Sequence, residues 1–120
     1  LEDYLYLHPE VLGLVRIRHR QYKTANGIID LLGEDKEGNW AVVELKTKRK
    51  PKDLLWQLKA YTEDLKRHRP GKIRTIAVTP PLEKSIRSQI DDLDCDLYYG
   101  RRSIFIFWAM AYISSRDLML

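Results

Sequence analysis

The chain has 120 residues, 44% hydrophobic and 32% charged, the balance of one globular domain rather than of a low-complexity or fibrous chain. Lysine and arginine number 21 against 17 acids, a net charge of +4 that permits a polyanionic partner without demanding one. The longest apolar run, 104–113, is about half the roughly 20 residues of a spanning helix, so no membrane partner is expected.

A single cysteine, Cys95, has no internal disulfide partner and points to a reducing, cytoplasmic compartment. Glu2, Asp3 and Pro9 interrupt any secretory h-region. The chain opens at Leu1 without an initiator methionine and reads as a piece of a longer protein.

Residues 1–7 predict a short helix with Tyr4 and Leu5 inward and Glu2 and Asp3 early, where the helix dipole favours acids. Pro9 breaks it. Residues 14–22 alternate as a strand with Val15 and Ile17 on one face and Arg16, Arg18 and Arg20 on the other. Those arginines are either a solvated face or contacts for a phosphate backbone. Thr24-Ala25-Asn26-Gly27 is turn chemistry. An apolar strand over 28–32 carries one acid, Asp30, and a polar loop over 33–39 joins it to a strand over 40–46, which makes a hairpin.

Lys46, Lys48, Arg49, Lys50 and Lys52 form a basic run. A helix follows, with Pro51 in its first turn, apolar positions at Leu54, Leu55, Leu58, Tyr61 and Leu65, and Pro70-Gly71 as its stop. A strand over 73–79, a helix over 82–93 and a strand over 94–99 complete alternating crossovers. The expected architecture is therefore α/β with a central mixed sheet flanked by helices. Residues 103–113 are rich in β-branched and aromatic side chains; a strand is expected there. If its outer side is bare it is a self-association surface through which a homodimer could form. One domain over 1–120 is expected, with its core in 1–99 and an apolar extension over 100–120.

The hairpin carries the chemistry. Asp30 and Glu44 are equidistant from Glu37 near the loop centre, so a symmetric hairpin sets them opposite each other. Opposed residues have Cβ atoms roughly 4.5–5.5 Å apart. Two carboxylates that close repel unless a cation lies between them, and a hard divalent ion suits oxygen donors. Lys46 shares the strand face of Glu44, where an ammonium could stabilise charge growing on a phosphate. Gln57 and Tyr61 lie one helical turn apart. Blander readings stand beside each of these. Asp30 could be a solvated hairpin-end acid, Glu44 with Lys46 a surface pair, Gln57 a polar helix position and Tyr61 core. The histidines His8, His19 and His68 have no metal-ligand spacing.

Asp30, then Glu44-Leu45-Lys46, then Gln57 with Tyr61, resembles the PD-(D/E)XK nuclease superfamily, and the helix pair resembles that of its RecB-type members. Gly27-Ile28-Ile29-Asp30, Val42-Val43-Glu44-Leu45-Lys46 and Ile76-Ala77-Val78-Thr79-Pro80 are similar to the catalytic domain of NucS/EndoMS nucleases, over roughly 1–99. The resemblance implies a restriction-endonuclease-like core and a metal-dependent DNA endonuclease using Mg²⁺ or Mn²⁺. It implies Asp30, Glu44 and the Leu45 carbonyl as metal ligands, Lys46 as the catalytic lysine and Gln57 and Tyr61 as the supporting pair. Glu2 would be the first-helix acid. Arg16, Arg18, Arg20, Lys48, Arg49 and Lys50 would meet DNA. Ile29 stands where the superfamily's nominal proline precedes the acid. The separate N-terminal DNA-binding domain of NucS-like enzymes has no counterpart in this stretch. A catalytically silent nucleic-acid-binding or assembly module on the same fold is the alternative.

Overall fold

In a computed structural model, residues 1–99 and a two-residue strand at 113–114 are described. The elements are α1 (Glu2–Leu7), a 3₁₀ turn (Pro9–Leu12), β1 (Arg16–Thr24), β2 (Gly27–Glu34) and β3 (Trp40–Leu45). Then follow α2 (Leu54–His68), β4 (Ile73–Thr79), α3 (Lys84–Asp92), β5 (Asp96–Tyr99) and β6 (Ile113–Ser114). The expected extension and the surface at 103–113 lie outside the described residues, apart from the backbone of β6, which pairs antiparallel with β5.

The strands lie in chain order across one mixed sheet. β1–β2 and β2–β3 are antiparallel hairpins; β3–β4 and β4–β5 are parallel, as helical crossovers require. Both faces are covered. On one, Leu54, Leu58, Tyr61 and Leu65 of α2, with Ile90 of α3, pack onto Leu32, Val42, Ala77 and Leu97. On the other, Leu5 of α1, Leu12 and Leu14 pack onto Leu31, Ala41, Val43, Ile76 and Val78. The split follows strand alternation: Val42 faces α2 while Ala41 and Val43 face α1. Each fully buried leucine contributes about 1.5–3 kcal/mol relative to exposure.

The helix expected to begin with Pro51 in its first turn starts later, at Leu54, because Lys52 and Asp53 form a turn first. Its last turn carries Lys66, Arg67 and His68, the charge sign that a helix C-terminus favours.

The basic face expected on β1 is a second difference. A register shift between Ile17 and His19 inserts Arg18 as an extra residue. Arg16 then pairs with Glu34 and Arg20 with Leu31, positions that alternation puts on opposite faces. The single arginine stripe is split. A bulge changes the period without changing composition, so alternation alone could not reveal it.

The β2–β3 turn is held by one buried acid. Asp35 accepts from the backbone N–H of Glu37 (2.9 Å) and Asn39 (2.8 Å) and from Asn39 Nδ2 (3.1 Å). Arg74 of β4 stands 3.8 Å from it and also reaches Asp96 at 2.9 Å. Arg69, at the end of α2, donates to the Gly38 carbonyl (3.0 Å) and stacks over Trp40 (4.4 Å). Burial pushes the Asp35 carboxyl up, but the bonds from Asn39 and Glu37 and the Arg74 charge outweigh it and hold it below the usual carboxylate range.

Asp35→Ala is expected to destabilise the domain by about 1–3 kcal/mol at pH 7, since it removes the three hydrogen bonds that a charged group accepts from Glu37 and Asn39 in the turn. Because the folded pKa lies below the unfolded one, the contribution is complete above the ordinary value of about 3.9 and fades as pH falls through the folded value. Urea denaturation of wild type and variant at pH 7 and pH 3 checks this: the gap between them should shrink at pH 3.

Candidate active site

β2 and β3 set the two acids. The hairpin pairs Leu31 with Val43, Leu32 with Val42, Gly33 with Ala41 and Glu34 with Trp40. One further step puts Asp30 across from Glu44. Their side chains exchange places. Glu44 Oε1 accepts from the Asp30 N–H at 3.1 Å, and Asp30 Oδ2 accepts from the Leu45 N–H at 2.8 Å. Each carboxylate is thus fixed by the backbone of the other strand, on the α2 face of the sheet.

Glu44 is only 2% exposed. Burial, then the charge of Asp30, push its carboxyl up to about 8; the Asp30 N–H and the charge of Lys46 oppose the rise only in part. A site that holds Glu44 in this way is short of positive charge. Lys46 continues β3 past Glu44, and its N–H donates to the Val78 carbonyl at 2.9 Å.

α2 closes the site from one side. Tyr61 is buried, and its hydroxyl lies against the Ile28 N–H and the Gln57 side chain. Burial raises the Tyr61 pKa, and the charges of Glu44 and Asp30 raise it further, so it stays a neutral phenol at physiological pH. The Gln57 Oε1 is buried with no hydrogen-bond partner. Gly27, at φ +148°, lies directly beneath Tyr61: a Cβ there would sit 2.7 Å from the phenol oxygen. The turn glycine is therefore also what lets Tyr61 approach the start of β2.

Asp30, Glu44, Lys46, Gln57 and Tyr61 are all brought to one place. The other candidates are not. Glu2 binds Arg20 and Gln21, the latter at 2.7 Å. Gln21, left-handed at φ +51°, falls across from Asp30, between the pairs Arg20–Leu31 and Tyr22–Ile29. Glu2 thus reaches the rim of the site only through Gln21. Arg16 and Arg18 both pair with Glu34, at 3.5 and 3.3 Å, and Arg20 pairs with Glu2 and Asp3. Arg49 donates to the Pro81 carbonyl (3.1 Å) and Lys50 faces Glu83 (3.8 Å), while Lys48 is exposed.

Sequence reading missed Thr79, at 1% exposure with its hydroxyl unpartnered. The β3–β4 register, Leu45 with Val78, puts it beside Lys46. It enters the sequence reading only within the strand Ile76-Ala77-Val78-Thr79-Pro80, with no role of its own.

Among the described residues no three His, Cys, Asp or Glu side chains cluster as a metal site. The donors here are two opposed carboxylates, one of them nearly sealed from water. That set fits a hard cation such as Mg²⁺, which usually takes one or two carboxylates and completes its shell with waters and substrate phosphates.

The family model of the endonuclease NucS C-terminal domain matches residues 1–97. The chain belongs to this family. Endonuclease NucS of Methanocaldococcus jannaschii is 42% identical over 64 residues, which cover 52% of this chain and 24% of that protein. A repair endonuclease from Pyrococcus abyssi superposes with a TM-score of 0.74 at 26% identity, over 82% of this chain and 44% of that one. A structure of an EndoMS–dsDNA complex superposes with a TM-score of 0.69 at 28% identity, over 79% of this chain and 40% of that one. The chain thus spans about a quarter of the length of the archaeal relative and under half of the solved chains. The mixed-sheet α/β fold is that of the NucS and EndoMS structures. No helix among the described residues is long and apolar enough to cross a membrane.

Gly27→Ala should lower stability by about 1–3 kcal/mol through overpacking against Tyr61 and an unfavourable φ. The double variant Gly27→Ala/Tyr61→Phe should recover part of that loss, because the atom it strikes is gone. Thermal melts of the two variants check it; no recovery would mean that the phenol oxygen is not the obstacle.

Proposed function

We propose that this domain is the hydrolytic part of a metal-dependent DNA endonuclease of the PD-(D/E)XK type, cutting phosphodiester bonds by attack of water. The observation that carries the reading is the reciprocal Asp30–Glu44 arrangement with Lys46 next along the same strand face. Neither acid is a solvated hairpin-end group, and two opposed carboxylates, one of them nearly sealed from water, call for positive charge beyond the backbone amides that hold them. Membership of the NucS family and likeness to a repair endonuclease support DNA as substrate and repair as the setting.

Asp30 and Glu44 would hold the ion, with the Leu45 carbonyl as a third oxygen. When bound, Mg²⁺ or Mn²⁺ would neutralise the paired acids, acidify a water and counter charge on the phosphate. The remaining work falls to the protein. The backbone amides of Asp30 and Leu45 keep each carboxylate from swinging away, so the acids are pre-arranged before substrate arrives. The Lys46 ammonium stabilises negative charge on the phosphoryl oxygens. Tyr61, kept as a neutral phenol, has a proton to donate to a phosphate oxygen. Gln57 Oε1 is an acceptor for a water proton or for the Lys46 ammonium. Lys48 and Arg49 follow directly and offer exposed charge to the DNA backbone, giving salt-sensitive binding, while Lys50 already faces Glu83. The β1 arginines, already engaged by Glu34, Glu2 and Asp3, add less.

The test is a cleavage assay on single-stranded, duplex, flap and mismatched DNA with Mg²⁺, Mn²⁺ or EDTA. Asp30→Ala, Glu44→Ala and Lys46→Ala should each reduce cleavage by about 100-fold or more, the scale of losing one charge-stabilising group, while circular dichroism stays that of wild type. EDTA should abolish it. Asp30→Ala cutting at the wild-type rate would sink the assignment, and a wild-type protein that binds DNA without cutting it in either metal would be the silent module.

A further inference from the structure

The polar flank of α2 does not end at Tyr61. Gln57 and Asp64 are seven residues apart and lie on one line of the helix, with Tyr61 between them. Asp64 is 4% exposed, yet it sits in a helix whose other buried positions are apolar or Tyr61. Both of its oxygens are used by one residue. Asn26, in the turn between β1 and β2, donates its backbone N–H to Oδ2 at 3.0 Å and its side-chain Nδ2 to Oδ1 at 2.8 Å. Arg67 stands 3.7 Å from Oδ1. A carboxylate this buried is retained only where its bonds are made.

What the clamp joins is specific. Asn26 is followed by Gly27, over which the Tyr61 hydroxyl rests, and by Ile28, whose N–H faces that hydroxyl. Two residues further is Asp30. The clamp and the Tyr61 contact therefore fasten successive residues of the turn to successive turns of one helix. The space over Gly27 is filled by Tyr61: a Cβ at that position would already lie 2.7 Å from the phenol oxygen. Thr24 Oγ1, donating to the Gly27 carbonyl at 2.8 Å, stiffens the same turn from within.

We infer that Asp64 is a positioning residue for the site: through Asn26 it locks the β1–β2 turn to α2, and so fixes where Asp30 stands relative to Gln57 and Tyr61. It touches none of the reacting groups. The inference rests on the nuclease reading for its catalytic consequence, but the mechanical lock is independent of it.

The pair can be reversed. In Asn26→Asp/Asp64→Asn, the new amide at 64 accepts the backbone N–H of 26 with its oxygen and donates its Nδ2 to the new carboxylate at 26. Both bonds return, and the net charge is unchanged. The experiment uses the full-length protein and compares wild type, Asp64→Asn, Asn26→Ala and the swapped pair. It reads kcat and KM on the best-cut DNA, the hydrogen-exchange rate of the Ile28 amide and the melting temperature.

Asp64→Asn should lower kcat about 10- to 100-fold, the scale of a small misplacement of catalytic groups, with KM within about twofold. Ile28 exchange should rise about tenfold, Asn26→Ala should show a smaller change in the same direction, and the swap should restore kcat and Ile28 protection together. Wild-type kcat and Ile28 exchange in folded Asp64→Asn would overturn the inference, as would a swap that restores melting temperature alone. Should Asp64→Asn not fold, Asn26→Ala and the swap decide by the same two readouts. If the wild type cuts no DNA, the nuclease reading has failed, and Ile28 exchange across the four proteins decides the lock on its own.

Discussion

Two carboxylates that face each other across a hairpin, each held by the other strand's backbone, set the terms for the rest of the domain. Ionising both would set like charges side by side, and burial of Glu44 deepens the penalty. The fold accepts that cost by fastening Asp30 and Glu44 with charge-assisted hydrogen bonds from amides of Leu45 and Asp30. It leaves Glu44 with a carboxyl whose pKa is raised to about 8, a state that positive charge would relieve. Lys46 supplies some of that charge from the chain itself; the remainder is the reason for reading the pair as a cation site.

The surrounding elements act to keep this arrangement rigid. At one end of the hairpin, Asp35 fixes the β2–β3 turn, and Arg74 links that turn to β5 through Asp96. The same turn sets the register that brings Asp30 opposite Glu44. At the other end, Gly27 admits Tyr61 and Asp64 anchors Asn26. β4, parallel to β3, holds Lys46 through the Val78 carbonyl. The site thus lies where two antiparallel strands, one parallel neighbour and one helix meet. Its residues are spread over 35 positions of sequence, from Gly27 to Tyr61, and backbone amides brace Asp30, Glu44 and Tyr61 among them.

Much of this was legible because it follows from period and symmetry. Hairpin centring on Glu37 yields the Asp30–Glu44 register, strand period puts Lys46 on the Glu44 face, and helical spacing pairs Gln57 with Tyr61. These are geometric consequences of local sequence. What sequence could not show depends on events without a periodic signal. The extra residue at Arg18 splits the arginine face. Gln21 takes a left-handed conformation that favours no particular side chain strongly enough to be read. Asp64 looks like any helix acid until the turn 38 residues earlier is seen to meet it. Thr79 acquires interest only from the parallel register with β3.

The central claim is that Asp30 and Glu44 form one cation site, and metal binding without DNA tests it most directly. Titration of the protein with Mn²⁺, followed by calorimetry or by loss of the free-ion paramagnetic resonance signal, should show one site in wild type. Asp30→Asn and Glu44→Gln, each folded, should weaken it tenfold or more, as removing one of two charged ligands demands. A wild-type protein that binds no Mn²⁺, or variants that bind it as tightly as wild type, would contradict the account.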